Sequence, residues 1–545
     1  MRWLYRAVLS LVLVAALVLA FESVIGTVLR LSRPVRPESP TPLPVPAGDQ
    51  EIAFLYPATS TVNWERFVTA IRKLTASDAT SQWRIADERQ AFPSQTAAVP
   101  EIAIAHRQGE GRLWFRWYKL TGDWDTKQWV TALTRRSTPP LAIIGGGSSD
   151  RAYELARHLR QLPQSDQRPL LLITTATADE VEFGSPLMNV YPRRSFRFCF
   201  TNRQMAEAVT DFIWTQKDLR PDRDPVYFMS WLDDPYSEDL RQRFLHVLSQ
   251  PHYGGMLRQN GLARDAGRLW ASLASQVSSK VPVVTLGGMH RFASRQGESA
   301  HTFLHLRSPY SVGSFDEPNR HEAEAAEMLV AELRAHPEQQ RPLLILPAVP
   351  EPARRFLRTL VRLSPQDAGK LVVATGDSID FNTVYRDQLV KWHIQDLPCV
   401  LVLFCHHNPV DRIGFVPEPD ATAKPDLESR SATGTQDLLL YLNIVQTITQ
   451  AVWKQNSMLQ DADALRDELA KARLFDGRKR FDEHGNQRSG AGEYVVCLRP
   501  IREDQRVLPL ANLQVWNRST DADGVERWRQ VSELIVKYRQ KYRHR

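Results

Sequence analysis

The chain is poor in cysteine and gives its few thiols no spacing that would put them to chemical use. Cys199, Cys399, Cys405 and Cys497 are the only four in 545 residues. None forms a CxxC pair, and their separations are too wide for a zinc knuckle. All lie in apolar, strand-like runs (FRFCF, PCVLVLFC, YVVCL), where a free thiol behaves as a small buried hydrophobe. Cys399 and Cys405 fall in one expected strand, facing the same side and too far apart to bridge. Charge of one sign is also lacking: 69 Lys and Arg against 62 Asp and Glu leave a net +7. No stretch interleaves basic and aromatic residues along one face, which argues against nucleic-acid binding. The basic end at 537–545 (KYRQKYRHR) is expected to be a solvated tail. No repeat of fixed short period is present. What remains, 43% hydrophobic and 24% charged residues, is ordinary for a globular chain with a full core. The length allows two or three domains, or one large two-lobed unit.

The strongest local signal lies at the N-terminus. A basic, aromatic start (MRWLYR) precedes the uninterrupted apolar run AVLSLVLVAALVLAF at 7–21, and SVIGTVLRL continues it after Glu22. A signal peptide cleaved after Ala20, with Val18 at −3, is one reading. An uncleaved transmembrane helix over residues 7–29 is the other and is favoured, because the apolar run is at the long end for a signal sequence. With no cysteine nearby, a lipid anchor is excluded. RPVRPESPTPLPVPAG at 33–48 then follows as an extended, proline-rich spacer.

From residue 51 onward, apolar runs alternate with amphipathic stretches. EIAFLYP (51–57) precedes a helix around Trp64–Leu74, and EIAIAHR (101–107) with GRLWFRWYKL (111–120) reads as a hairpin. LAIIGG (141–146), a helix over Arg151–Leu162 and PLLLITT (169–175) follow, then a helix at Gln204–Gln216. A second series comprises PVYFMSW (225–231), a helix at Ser237–Leu248, VPVVTLG (281–287), RPLLILPA (341–348), a helix at Glu351–Leu363 and KLVVATGD (370–377). A polar loop at 416–434 leads to an apolar helix at Gln436–Val452, and FDEHGNQ (481–487) turns toward EYVVCLRPI (493–501). Fully apolar runs separated by helices predict parallel strands buried on both faces. Two such series predict an α/β protein of two doubly wound lobes.

The order of these segments resembles the type I periplasmic binding proteins, in their branched-chain amino-acid branch, over roughly residues 50–500. The resemblance is carried by AIIGGGSSDRAYELA, LLLITTATADE, RFCFTNRQMAEAV, VYFMSWLDDPYSEDL, LLILPAVPEPARRFLRTL, LVVATGDSIDF and the closing FDEHGNQRSGAGEYVV. Two segments depart from it: the long stretch 288–320 and CHHNPVD at 405–411. The resemblance implies two Rossmann-like lobes joined by a hinge, preceded here by the membrane helix. The expected divisions are an anchor or signal at 1–32, a linker at 33–49, a first lobe at 50–202 and mostly the second lobe at 203–395. A return to the first lobe at 396–455 and a C-terminal hairpin with basic tail at 456–545 complete them. The implied role is capture of a small polar ligand, an amino acid or related compound, for an ABC-type permease, without catalysis, cofactor or metal.

An amino acid presents a carboxylate and an ammonium group. The carboxylate suits backbone N–H groups and hydroxyls at a helix start, which GGGSSD offers through Ser148 and Ser149, and TTATAD through Thr175, Ala176 and Thr177. Plain helix capping would also explain Ser, Thr and Asp in such turns. For the ammonium, the resemblance points to Asp377 in TGDS and to Asp233 or Asp234 in LDDPY, each of which also fits a turn or cap. Tyr236 adds an aromatic face and a hydroxyl.

Four competing readings remain. Gly376-Asp377-Ser378 is similar to the Gly-Asp-Ser turn of serine esterases, but no later histidine has an Asp three positions before it to supply that family's base. Cys405, His406, His407 and Asp411 offer metal-ligand types, yet neighbouring strand histidines point to opposite faces, and a loop at the strand's end suffices. GGGSSD lacks the third glycine of a dinucleotide loop and the Gly-Lys-Ser/Thr of a P-loop. A tethered sensor of the same fold is the non-transport alternative.

Overall fold

The fold is known from a computed structural model. It describes residues 40–76, 82–89, 98–163, 168–181, 184–221, 226–231, 234–248, 289–291, 302–306, 320–379, 397–409, 435–454, 457–474, 477–489, 492–503, 506–520 and 525–537. The apolar segment 7–29, VPVVTLG, Asp233, Asp411 and the loop 416–434 lie outside them. Among the described residues no helix is long and apolar enough to cross a membrane.

The first lobe is built on β1 (Gln50–Pro57), β2 (Trp83–Arg89), β3 (Glu101–His106), β4 (Leu113–Leu120), β5 (Ala142–Gly145), β6 (Leu170–Ile173) and β7 (Ser195–Arg197). They form one sheet in the order β2-β3-β4-β1-β5-β6-β7. From β4 to β7 neighbouring strands are parallel, while β3 runs against both β2 and β4. Side chains alternate between faces: Ile52, Phe54 and Tyr56 enter one apolar cluster, Ala53 and Leu55 another. That double burial is what the unbroken apolar runs require. Helices α1 (Thr61–Ala76), α2 (Thr126–Thr134) and α3 (Ser149–Arg160) cover the faces.

The second lobe holds β8 (Tyr227–Trp231), β9 (Met289–Arg291), β10 (Thr302–Leu306), β11 (Leu343–Ile345), β12 (Val372–Ala374), β13 (Val400–Cys405), β14 (Tyr494–Glu503), β15 (Arg506–Thr520) and β16 (Glu526–Lys537). Their order is β9-β10-β8-β11-β12-β13-β14-β15-β16. The stretch β10-β8-β11-β12-β13 is parallel, and β14 to β16 extend it antiparallel. One face carries α4 (Asn202–Thr215) and α5 (Pro235–Leu248), the other α6 (Arg320–Ala335) and α7 (Pro350–Leu363).

Between the lobes the chain crosses three times. α4 follows β7 directly yet packs on the second sheet, with Met205, Val209 and Phe212 in the cluster of Phe228, Val402 and Phe404. α8 (Thr435–Val452) carries the chain back, placing Tyr441, Ile444 and Ile448 with Ile52 and Phe67. Phe481 still packs on Phe196 and Phe198 of the first lobe, and β14 then re-enters the second sheet.

Two expected boundaries are corrected. Residues 396–455 are not all first lobe, because β13 pairs with β12 and only α8 returns. The segment 456–545 is not one hairpin. Its first part, including α9 (Ala462–Leu469), packs on the first lobe, and its last part forms β14–β16. An apolar run states that a strand is buried, not which sheet it joins. The proline-rich linker also docks at its end: the carbonyls of Leu43 and Pro44 accept from Arg116 at 3.4 and 3.0 Å, and that of Leu43 from Arg136 at 2.7 Å. The buried Glu51 pairs with the same two arginines, at 2.7 Å each. All four cysteines are free and buried, with Cys399 and Cys405 in the same cluster.

Candidate functional site

In each lobe the polar turns singled out in the sequence leave the carboxyl ends of parallel strands, the position at which open α/β sheets hold ligands. In the first lobe two turns are stitched together. Thr175 Oγ1 donates to the Gly147 carbonyl at 3.0 Å, and the Ala178 N–H donates to Ser149 Oγ at 3.2 Å. Ser148 occupies the N-cap of α3 with extended backbone but makes no capping bond through its hydroxyl. Its backbone carbonyl accepts from the Ala152 N–H at 2.9 Å, so only the hydroxyl takes no part in the cap. Ala176 is buried, and its carbonyl accepts from Cys199 Sγ at 3.5 Å. Thr177 is 1% exposed, and its Oγ1 has no partner among the described residues. Beneath this turn, the buried Arg197 donates from Nη1 to the Thr177 carbonyl at 3.2 Å and from Nη2 to the Ala178 carbonyl at 2.9 Å. The carbonyls are thereby drawn toward a cation, a device that the sequence reading did not assign.

In the second lobe Tyr236 and Asp377 meet. The Tyr236 hydroxyl donates to Asp377 Oδ1 at 3.1 Å and accepts from the Ser378 N–H at 3.3 Å. Burial, and then the Asp377 carboxylate, holds that phenol well above its ordinary range. Gly376 makes the approach feasible, since a Cβ there would lie 2.5 Å from the Tyr236 hydroxyl. His406, just past β13, faces Asp377 Oδ2 from Nε2 at 2.7 Å. Its Nδ1 accepts from the Phe200 N–H at 3.3 Å, so the proton sits on Nε2 and that nitrogen donates. The imidazole stacks on Phe200, centroids 5.7 Å apart and parallel within 1°, with Phe404 edge-on at 5.4 Å. Each Asp377 oxygen thus has one donor already, and a ligand ammonium would be a third on that carboxylate.

Asp234 is a cap: its Oδ2 accepts from the Ser237 N–H at 3.3 Å. Burial pushes it up to about 6 against the help of backbone N–H groups. Ser378 Oγ donates to the Ala348 carbonyl, and both nitrogens of His406 are engaged elsewhere, so no base among the described residues serves that serine. No group of three or more metal-ligating side chains forms among the described residues.

Asn202 joins the two halves. Its N–H donates to the Thr177 carbonyl at 2.8 Å, and its Nδ2 donates to the Tyr236 carbonyl at 3.3 Å and to Asp239 at 2.8 Å. Asp239, on α5, also accepts from the N–H groups of Asp179 and Glu180 at 2.9 and 3.2 Å. Arg243 closes the bridge, 2.9 Å from Asp239 and 2.8 Å from Glu180. No direct bond among the described residues joins Ser148 or Ser149 to Tyr236 or Asp377; the halves meet through Asn202 and Asp239. Asn202 and Asp239 act across the lobe boundary and carried no local sequence signal, and His406, read in the sequence only as a metal-ligand type, instead pairs with Asp377 within the second lobe.

No family model and no curated protein matches this chain. Among solved structures it is similar to a leucine-, isoleucine-, valine-, threonine- and alanine-binding protein from Brucella ovis in its closed conformation. That pair is 10% identical, with 90% of this chain and 95% of the other covered and a TM-score of 0.45. An extracellular ligand-binding receptor from Verminephrobacter eiseniae is 11% identical, covering 83% and 98%, with a TM-score of 0.42. An ABC-transporter solute-binding protein from R. palustris in complex with benzoate is 10% identical, covering 89% and 96%, with a TM-score of 0.40.

Proposed function

We propose that the chain is a membrane-tethered, extracytoplasmic solute-binding protein that holds a small polar ligand between its lobes for an ABC-type permease. The ligand class is an amino acid or related compound. Segment 7–29 is the tether. Ser148, Ser149, Thr175, Ala176 and Thr177 receive its anionic end, and Tyr236 and Asp377 lie on the facing side. The observation that carries the reading is the meeting of both sets of turns on Asn202, beside a buried Thr177 hydroxyl without a partner among the described residues. A buried hydroxyl without a partner is costly, and a ligand oxygen or nitrogen relieves it. No chemistry is assigned to the site, since Ser378 is turned to a carbonyl. The full chain in detergent micelles, heated with a panel of amino acids and small carboxylic acids, is expected to melt higher with one chemical class. A flat response across the panel, with hydrolysis of a model ester lost in Ser378→Ala, would replace binding by catalysis.

A further inference from the structure

Asp377 is the acid of the second-lobe turns, and it is bonded on both oxygens. Oδ1 accepts from the Tyr236 hydroxyl at 3.1 Å, and Oδ2 lies 2.7 Å from His406 Nε2. The two partners differ in kind. The phenol stays neutral, held well above its ordinary range by burial and then by Asp377, whereas an imidazole is the side chain that gains charge in mildly acid solution. His406 is placed so that its charge state matters. Its Nδ1 accepts from the Phe200 N–H at 3.3 Å, which only the neutral ring can do. Protonation of Nδ1 turns two donors on one another, while it converts the Asp377 contact into an ion pair. The His406 and Asp377 side chains are 5% and 12% exposed. In such a place two cations beside one carboxylate repel strongly, and the larger open edge belongs to the acid. The other titratable or charged groups around the pair, among the described residues, keep their charge in this range. Cys199, beside Phe200 and within the field of Asp377, is pushed up to about 12 by burial. His407 is held down to about 3 by burial, then by His406 and Arg480. Arg197, which acts on Cys199, is spent on the Thr177 and Ala178 carbonyls. Glu493, next to the Gly492 that approaches the His406 carbonyl, faces Arg518 at 3.6 Å. Phe404, edge-on to the ring, carries no charge.

We propose that His406 is a positioning residue whose protonation competes with the ligand's ammonium group for Asp377, so that binding drives the Nδ1 proton off to solvent. This rests on the interlobe reading, with the ammonium at Asp377. The Nε2 proton stays between the ring and Asp377 throughout. Only the Nδ1 proton leaves, and the freed lone pair accepts from the Phe200 N–H. By linkage, a proton expelled on binding means an affinity that falls with falling pH. The test is calorimetric titration of the full chain in detergent with whichever common amino acid most raises its Tm. It is run at about pH 7.5 and about pH 5.5, in two buffers of different ionisation heat. The wild type is expected to lose about three-fold or more in affinity between these pH values, and to release a fraction of a proton on binding at the lower one. Asp234 and Asp239, both pushed up to about 6 mainly by burial, titrate in the same range, so the comparison with His406→Gln decides. That amide offers a donor to Asp377 and an acceptor to the Phe200 N–H but takes no proton. Its fall in affinity is expected to be flatter, with the release lost. An equally steep fall with equal release in His406→Gln overturns the competition, as does a wild-type affinity that does not change with pH. Should that variant not fold, Asp377→Asn is expected to bind more weakly and to lose the release, and a release kept there overturns the competition too. The two claims fail separately: binding of no amino acid defeats the interlobe reading itself, whereas binding with an unaltered slope in His406→Gln defeats only the competition.

Discussion

Gly376 shows how one missing side chain sets the second-lobe site. A Cβ would meet the Tyr236 hydroxyl at 2.5 Å and Leu240 Cδ2 at 2.8 Å. Gly376→Ala should therefore cost about 1–3 kcal/mol, as overpacking of a closed site does, read as a lower urea midpoint. An unchanged midpoint would mean that the Tyr236 hydroxyl moves aside freely. Asp234 predicts an unusual pH response. Its carboxyl is raised from an ordinary 3.8 to about 6 by burial, so the folded state takes its proton first. The stability this contributes is full below about pH 4 and is lost as pH rises to about 6. Compared with the wild type, Asp234→Asn should gain on the order of 2 kcal/mol in urea unfolding between pH 4 and pH 7. Parallel profiles would contradict the burial of that charge. At this scale the sequence was informative where turn chemistry is local: GGGSSD and TTATAD mark the first-lobe turns. It offered His406 only as a metal-ligand type, because the pairing with Asp377 spans 29 positions and depends on which strands become neighbours.

At the scale of elements, the first crossing and the segment before the last one are strapped together. The Arg197 N–H donates to the Gly485 carbonyl at 2.8 Å, and Gln204 Nε2 donates to the Gln487 carbonyl at 3.0 Å. Gly485 has φ +87°, and a Cβ there would lie 2.1 Å from the Ser195 carbonyl oxygen. Gly485→Ala faces both a left-handed backbone and a backbone clash, and should destabilise by roughly 2 kcal/mol or more, with amide exchange rising first in β7. Exchange unchanged in β7 would show that the strap is not structural. The helices and parallel strands were legible because their apolar periods are strong. The antiparallel extension β14–β16 was only half legible: EYVVCLRPI was seen as a strand, whereas β15 and β16 alternate polar and apolar residues on a partly solvated ribbon. β13 was seen as a strand and misplaced, since nothing within VLVLFC names its sheet.

At the scale of the molecule, two sheets present the carboxyl ends of their parallel strands to one another, and Asn202, Asp239 and Arg243 tie the facing turns. The central claim is that a small polar ligand sits there, with Thr177 on one side and Asp377 on the other. Calorimetric titration of the full chain, with the compound that most raises its Tm, tests this most directly. One site per chain is predicted, with affinity falling about five-fold or more in Thr177→Val and in Asp377→Asn, the loss of about 1 kcal/mol or more expected for a buried hydrogen bond. Affinity unchanged in both variants would contradict the account.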